Sequence, residues 1–455
     1  MRQVTGLTST YSSDEFGICS ALYELGGMVV MHDASGCNST YTTHDEPRWY
    51  DMDSMIYISA ISETEAILGD DDKLIDDLIE TAQELHPKFI ALVGAPIPYM
   101  IGTDLDAIAA IVSRRTGIRC FAFAANGMRD YTVGVSMALE RIVREYAVRE
   151  PEIHSAQIYR QPYRQPDWKL NQAEKVYGSR DSEEAIGIKE EKKTAVRDGG
   201  CVVNIIGATP LDFSLNGSVA SIQKWITDRG MTNGVCLSMG CSLEDVRMAG
   251  QAQVNLVVSA GGLAAAKTLR ERFGTPYVAG IPVGERFSGC FEDIIRDAVL
   301  SSDNCLAYAS TAFQRRKTSI PAVKGKELPR KSETGSAAEP EPVPDAEKPL
   351  AIIGEAVRSA SLAAAIEMEY GVKAHVLCPL DIGKELLRPG DIYTPEEDDL
   401  IRRLGSYIGV IADPLYQPLV RGGQRFYPLP HEAFSGRIYD SVNPNLIAVR
   451  LIQKP

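Results

Sequence analysis

Thiols, imidazoles and carboxylates are the groups in this chain that could do chemistry, and one stretch presents them at the end of a strand. Met28–Met31 is a short apolar run that reads as a buried strand. His32, Asp33 and the small-residue turn Ala34-Ser35-Gly36 stop it, and Cys37 follows at once. The sulfur is thus delivered at a strand tip, on a loop that Gly36 lets approach another group closely. That is the place of an active-site ligand, and equally of an ordinary buried thiol. His32 would stand beside such a ligand, or be a buried, satisfied histidine. The polar loop that follows carries His44, Asp45 and Arg48, a proton source or substrate contact if not simply exposed.

Other candidates lie further along. Ser259-Ala260-Gly261-Gly262 is a small-residue strand-to-helix turn able to offer backbone N–H groups to an anion, or merely a tight turn. Cys236 and Cys241 form a C-x4-C pair with no second pair at metal-finger spacing, so they read as structural thiols. Cys120, Cys201, Cys305 and Cys378 sit in or beside apolar segments and read the same way, whereas Cys290 falls in an apparent loop after Ser288-Gly289. No nucleophile elbow, P-loop or dinucleotide fingerprint occurs.

The elements that must position these groups alternate between strand and helix. Ile18–Gly27 has helical spacing and carries Cys19, and Ser62 with Glu65 makes a capping box. Apolar runs at Phe89–Val93 and Ile118–Ala124 read as strands, with a loop at Gly94–Gly102 and helices at Asp104–Ser113 and Val133–Val148. The same alternation returns at Cys201–Ala279 and at Leu350–Ala412, which indicates parallel sheets. Two stretches lack the pattern. Residues 168–200 are charged and aperiodic, a connector, and Lys317–Pro349 is rich in Pro, Glu, Lys, Ser and Ala, a linker. The expected map is a 1–167 domain, the 168–200 connector, a 201–316 domain, the 317–349 linker and a 350–455 domain.

Composition bounds the function. A net charge of −14 argues against a nucleic-acid partner, which would require a basic surface. No apolar run is long enough to span a membrane, and Met1–Phe16 has no signal-like segment. Nine cysteines, odd in number and scattered, do not make a disulfide framework, so a reducing cytoplasmic setting is expected.

The order of these features resembles component 1 of nitrogenase and its relatives, among them the dark-operative protochlorophyllide reductase and a nickel-tetrapyrrole reductase. The residues that carry the resemblance are the His32…Gly36-Cys37 turn, the Glu-rich helix start at Ser62–Gly69, and the loop ending Ile101-Gly102-Thr103-Asp104. It implies three Rossmann-like α/β domains and an iron–sulfur cluster, of [4Fe–4S] type, between subunits. By that resemblance Cys37 is a cluster ligand. Cys19 is a second candidate, although the family's first ligand would fall near Tyr11–Ser13, about two helical turns earlier. Pro96 takes the place of the family's third cysteine. Ser259 stands where the iron–molybdenum cofactor cysteine would be, ahead of a helix and Phe273-Gly274-Thr275-Pro276, so no such cofactor is expected.

The resemblance further implies a dimer, with a copy or a paralogous component 1 subunit, and electrons supplied by a separate iron–sulfur ATPase. A catalytic reductase component with an unidentified substrate is the leading expectation. A scaffold for metallocofactor assembly is the alternative, and a cluster-free α/β binding protein a further one.

Overall fold

The computed structural model describes residues 11–36, 46–149, 200–319, 348–381 and 383–447. Three parallel sheets organise them. The first has four strands, β1 (Met28–Met31), β2 (Ile56–Ile58), β3 (Ile90–Val93) and β4 (Cys120–Phe123), in the order β2-β1-β3-β4. The second is built from β5 (Val202–Ile206), β6 (Thr232–Cys236), β7 (Val254–Val257), β8 (Tyr277–Ala279) and β9 (Cys305–Leu306), ordered β6-β5-β7-β8-β9. The third holds β10 (Leu350–Ile353), β11 (Ala374–Cys378), β12 (Ile392–Tyr393), β13 (Gly409–Ala412) and β14 (Arg425–Pro428), ordered β12-β11-β10-β13-β14.

Every strand pair is parallel, which requires helical crossovers and covered faces. The central strands are therefore apolar throughout instead of alternating. In β1, Val29 and Met31 join the main core, while Met28 and Val30 face a smaller core. Leu74, Ile75 and Leu78 of the Asp72–Leu85 helix, with Ile108 and Val112 of Leu105–Thr116, close that smaller core. In each sheet the order reverses beside the first strand: between β1 and β3, β5 and β7, and β10 and β13. Crevices at such reversals, beyond the carboxyl ends of the strands, are where open α/β sheets bind ligands.

Two helices meet at unusually close range. A Cβ on Gly17 would stand 2.1 Å from the carbonyl oxygen of Tyr131, and one on Gly134 would stand 1.8 Å from that of Asp14. Only glycine lets the Asp14–Leu22 helix seat so deeply on Tyr131–Tyr146, and every residue of the former is buried.

Some elements differ from the sequence reading. Gly94–Gly102 is not a plain loop, because Pro96 opens a short helix to Ile101, with proline at a position that needs no N–H donor. Cys290 lies on a sixteen-residue helix, Arg286–Ser301, and is fully buried. The Thr311–Ser319 helix runs past Lys317 into the stretch read as linker.

Candidate functional site

At the carboxyl end of β1 the chain turns as its residues require. The Nδ1 of His32 lies 2.8 Å from Ser59 Oγ, and that hydroxyl also accepts the Asp33 N–H at 3.2 Å. The Asp33 carboxylate receives the Ala34 N–H at 2.9 Å. His32 is buried, and burial pushes its pKa down, so it favours the neutral ring. The turn reaches Gly36, which is exposed. Cys37, His44 and Asp45 lie outside the described residues.

Cys19 is in the main core with no exposed surface, and burial pushes its thiol well above the ordinary value. Among the described residues, no three His, Cys, Asp or Glu side chains come together as a metal cage. Arg48 is fully buried rather than exposed. Its guanidinium donates to Glu46 Oε1 and Glu24 Oε1, both at 2.7 Å, and to the Ser20 carbonyl at 2.7 Å, above the Tyr23 ring. Glu24 in turn accepts the Gly240 N–H at 2.7 Å, so this network ties the loop to the second sheet.

A second polar centre forms where the reversals of the second and third sheets face each other. Gly207 follows β5 at φ +94°, and Ser259 follows β7. The Ser259 hydroxyl donates to the Gly207 carbonyl at 2.7 Å; a Cβ on Gly207 would stand 2.7 Å from that hydroxyl, so only glycine fits. Gly261 packs equally tightly, since a Cβ there would meet Val135 Cγ1 at 2.5 Å. The anion held by this turn is the chain's own. Glu355, just past β10, accepts the Ala260 N–H at 2.8 Å and also caps its own helix through the N–H groups of Val357 and Arg358. Burial, reinforced by repulsion from Asp212, pushes the Glu355 carboxyl up to about 7.

Around it lie Tyr131, Asp212, Asp413 and His431, all buried. Tyr131 donates to Asp212 Oδ1 at 2.6 Å, and His431 Nε2 stands 3.3 Å from the same oxygen. The Asp413 carboxylate is fully engaged, by Leu415 N–H at 2.9 Å and by His431 N–H and Ser435 Oγ, both at 2.8 Å. Burial lowers the pKa of His431. Arg358, Asp413 and His431 line a narrow recess of about 20 Å³, with apolar walls from Ile353, Leu362, Leu429 and Phe434. In this arrangement Tyr131 can share its proton with Asp212, His431 Nε2 stands near the same oxygen without a well-aligned hydrogen bond, and among the described residues there is no activated nucleophile.

Sequence reasoning reached Ser259 and Gly261 but not Glu355, Arg358 or His431. The only signal for Glu355 was an acid after a strand-ending glycine and before an alanine-rich helix, which any helix cap would produce.

With this geometry in view, comparison with known proteins is informative. Residues 21–288, more than half of the chain, match the family described as nitrogenase component 1 type oxidoreductase. One polypeptide of the light-independent protochlorophyllide reductase of Nostoc punctiforme is 37% identical over 83 residues, covering 18% of this chain and 16% of that protein. The nitrogenase iron-molybdenum cofactor biosynthesis protein NifE of Clostridium pasteurianum is 23% identical over 220 residues, 48% of this chain and 38% of that one. These alignments thus span well under half of each relative's length. The solved structure of nitrogenase Cp1 at pH 5 superposes with a TM-score of 0.55 at 14% identity, over 96% of this chain and 86% of that one. Nitrogenase Cp1 at pH 6.5 gives 0.51, also at 14% identity, over 88% and 68%. Both share the fold.

Proposed function

Because the chain belongs to the nitrogenase component 1 type oxidoreductase family, we propose that it is the catalytic component of a nitrogenase-like reductase. It takes electrons from a separate iron–sulfur ATPase through a [4Fe–4S]-type cluster anchored at Cys37. The observation that carries this reading is the β1 turn, where His32 and Asp33 are fixed by Ser59 and the backbone is aimed outward at Gly36, one residue before the cysteine.

The described residues do not cage a cluster by themselves, and Cys19 is enclosed in the core. The remaining thiolates of a four-thiolate cluster are therefore assigned to a second subunit, a copy or a paralogue. Its docking face is supplied by Ile67, Leu68, Tyr99, Met100 and Met128, all exposed around the same end of the first sheet. When bound, such a cluster would relay electrons; the chain's part is to fix the end of β1 through Ser59, ahead of the cysteine in sequence, and to keep His32 neutral. The Ser259 hydroxyl is committed to Gly207 and its turn to Glu355, so the residues there do not fit an iron–molybdenum cofactor. No helix among the described residues is long and apolar enough to cross a membrane.

A second reading, an assembly scaffold, is favoured by the NifE alignment, which runs over 48% of the chain. Anaerobic protein mixed with a nitrogenase-type iron–sulfur ATPase separates the two. Cluster reduction that requires ATP hydrolysis supports the reductase. Release of the metal to an apo-acceptor protein, without ATP-dependent reduction, supports the scaffold.

A further inference from the structure

We propose that Glu15 is a second ligand from this chain to the cluster anchored at Cys37, an oxygen donor in place of one thiolate. Its carboxyl is one that the fold leaves unused. Glu15 is 4% exposed, and its Oε2 is enclosed without a hydrogen-bond partner. The groups around it are committed elsewhere. Arg129 Nη2 stands 2.8 Å from Asp14 Oδ2, and the Gly127 N–H donates to Asp14 Oδ1 at 2.9 Å. The Ser13 hydroxyl lies near the Glu15 carboxyl without being aligned to it, and is itself enclosed with no hydrogen bond. The dipole of the Asp14–Leu22 helix favours an acid in its first turn, but a dipole gives the enclosed oxygen no donor. Carboxylates buried this far are ordinarily paired or bound to a metal.

Register sets where this carboxyl stands. β1, β3 and β4 run parallel with Met31, Val93 and Phe123 level with one another, so the segments that follow them leave the sheet along one edge. Those segments are His32–Gly36, Gly94-Ala95-Pro96 and Ala124–Gly127. The Asp14–Leu22 helix begins at the same edge, where the Asp14 N–H donates to the Arg129 carbonyl at 3.0 Å. Glu15 Oε1 and the Pro96 ring converge on Gly127, because a Cβ there would stand 3.2 Å from the former and 2.7 Å from Pro96 Cγ. Gly127 and Pro96 are only half-buried, so the carboxyl lies close beneath the surface of this edge. Cys37 is the next residue in sequence after Gly36, the exposed end of the first segment. Cys19 is four residues further along the helix, about 6 Å deeper, which leaves the carboxylate rather than that thiol at the edge. Iron takes carboxylate oxygen as well as thiolate and imidazole, and binding would release the carboxyl proton to solvent. His32 reaches this edge too, so a bound imidazole is the rival that the test must separate.

This inference rests on the reading above and replaces one thiolate of that cluster by an oxygen of this chain; iron analysis tells the two apart. The full chain is purified anaerobically as wild type and as Glu15→Gln. The wild type is also prepared from cells supplied with glutamate carrying carbon-13 in its side-chain carboxyl. Iron and acid-labile sulfide are measured, pulsed electron paramagnetic resonance is recorded on the reduced protein, and circular dichroism checks the fold. The expected result is a carbon-13 coupling of a directly bound carboxylate in the labelled wild type. Folded Glu15→Gln should hold at least threefold less iron. Full iron with an unaltered resonance in folded Glu15→Gln would overturn the inference alone. So would a wild-type cluster that shows no carbon-13 coupling, or the nitrogen coupling of a bound imidazole in its place. Folded wild type free of iron would overturn the reading and the inference together. Should Glu15→Gln not fold, the carbon-13 coupling in the wild type decides.

Discussion

Replacing Glu355 with glutamine tests how the two inner sheets are joined. Glu355 is 1% exposed and bridges the third sheet to the Ala260 N–H of the second. Its carboxyl is raised from an ordinary 4.5 to about 7, first by burial and then by Asp212. A carboxyl raised in the fold favours folding while both states are protonated, and that contribution is lost as pH rises from the unfolded towards the folded value. The window is therefore from about pH 4.5 to about 7. A displacement of this size corresponds to about 3 kcal/mol between acidic and alkaline limits. Glutamine is uncharged at every pH, and its amide nitrogen gives up one of the two accepting oxygens, a cost that does not change with pH. The stability of Glu355→Gln relative to wild type should accordingly rise by about 3 kcal/mol between pH 4.5 and pH 8. Urea unfolding of both proteins at half-unit pH intervals measures the difference directly. A difference that stays flat across the range, or one that widens towards acid, would refute the reasoning.

Other expectations follow from the same structure. Arg48→Met leaves Glu46 buried without its partner and should lower stability by about 3–5 kcal/mol; replacing Glu46 by leucine as well should restore part of it. Cys19→Ala removes a core thiol and should cost about 1–2 kcal/mol in urea unfolding, while any visible absorption of the anaerobic protein is kept. Limited proteolysis should cut first within 317–349, where composition offers no core-forming pattern, and an earlier cut inside Cys201–Ala279 would contradict that organisation.

What could be read in the sequence, and what could not, divides along the range of the interactions. β1, β3 and β10 were legible because strands covered on both faces leave uninterrupted apolar runs. The Ser62 capping box was legible because it closes over three residues, and the structure shows both of its hydrogen bonds. β2 was not, since Ile56–Ile58 is three residues long with one side chain exposed. Arg48 looked like part of a solvated loop because its acids, Glu24 and Glu46, come together only in the folded chain. The turn at Ser259 was visible as a possible anion cradle, but its occupant, Glu355, lies 95 residues away. Arg358 and His431 escaped for the same reason: a helix and a distant loop meet at one sheet reversal, and no local spacing encodes that meeting.

The central claim, that Cys37 anchors an iron–sulfur cluster in a nitrogenase-like reductase, is tested most directly by metal analysis. Iron, acid-labile sulfide and molybdenum are measured on anaerobically purified wild type and Cys37→Ser, with circular dichroism as the check on folding. Iron and sulfide in the wild type without molybdenum, and their loss in a folded Cys37→Ser, are the predicted result. Folded wild type free of iron, stoichiometric molybdenum, or an unaltered cluster in Cys37→Ser would contradict it.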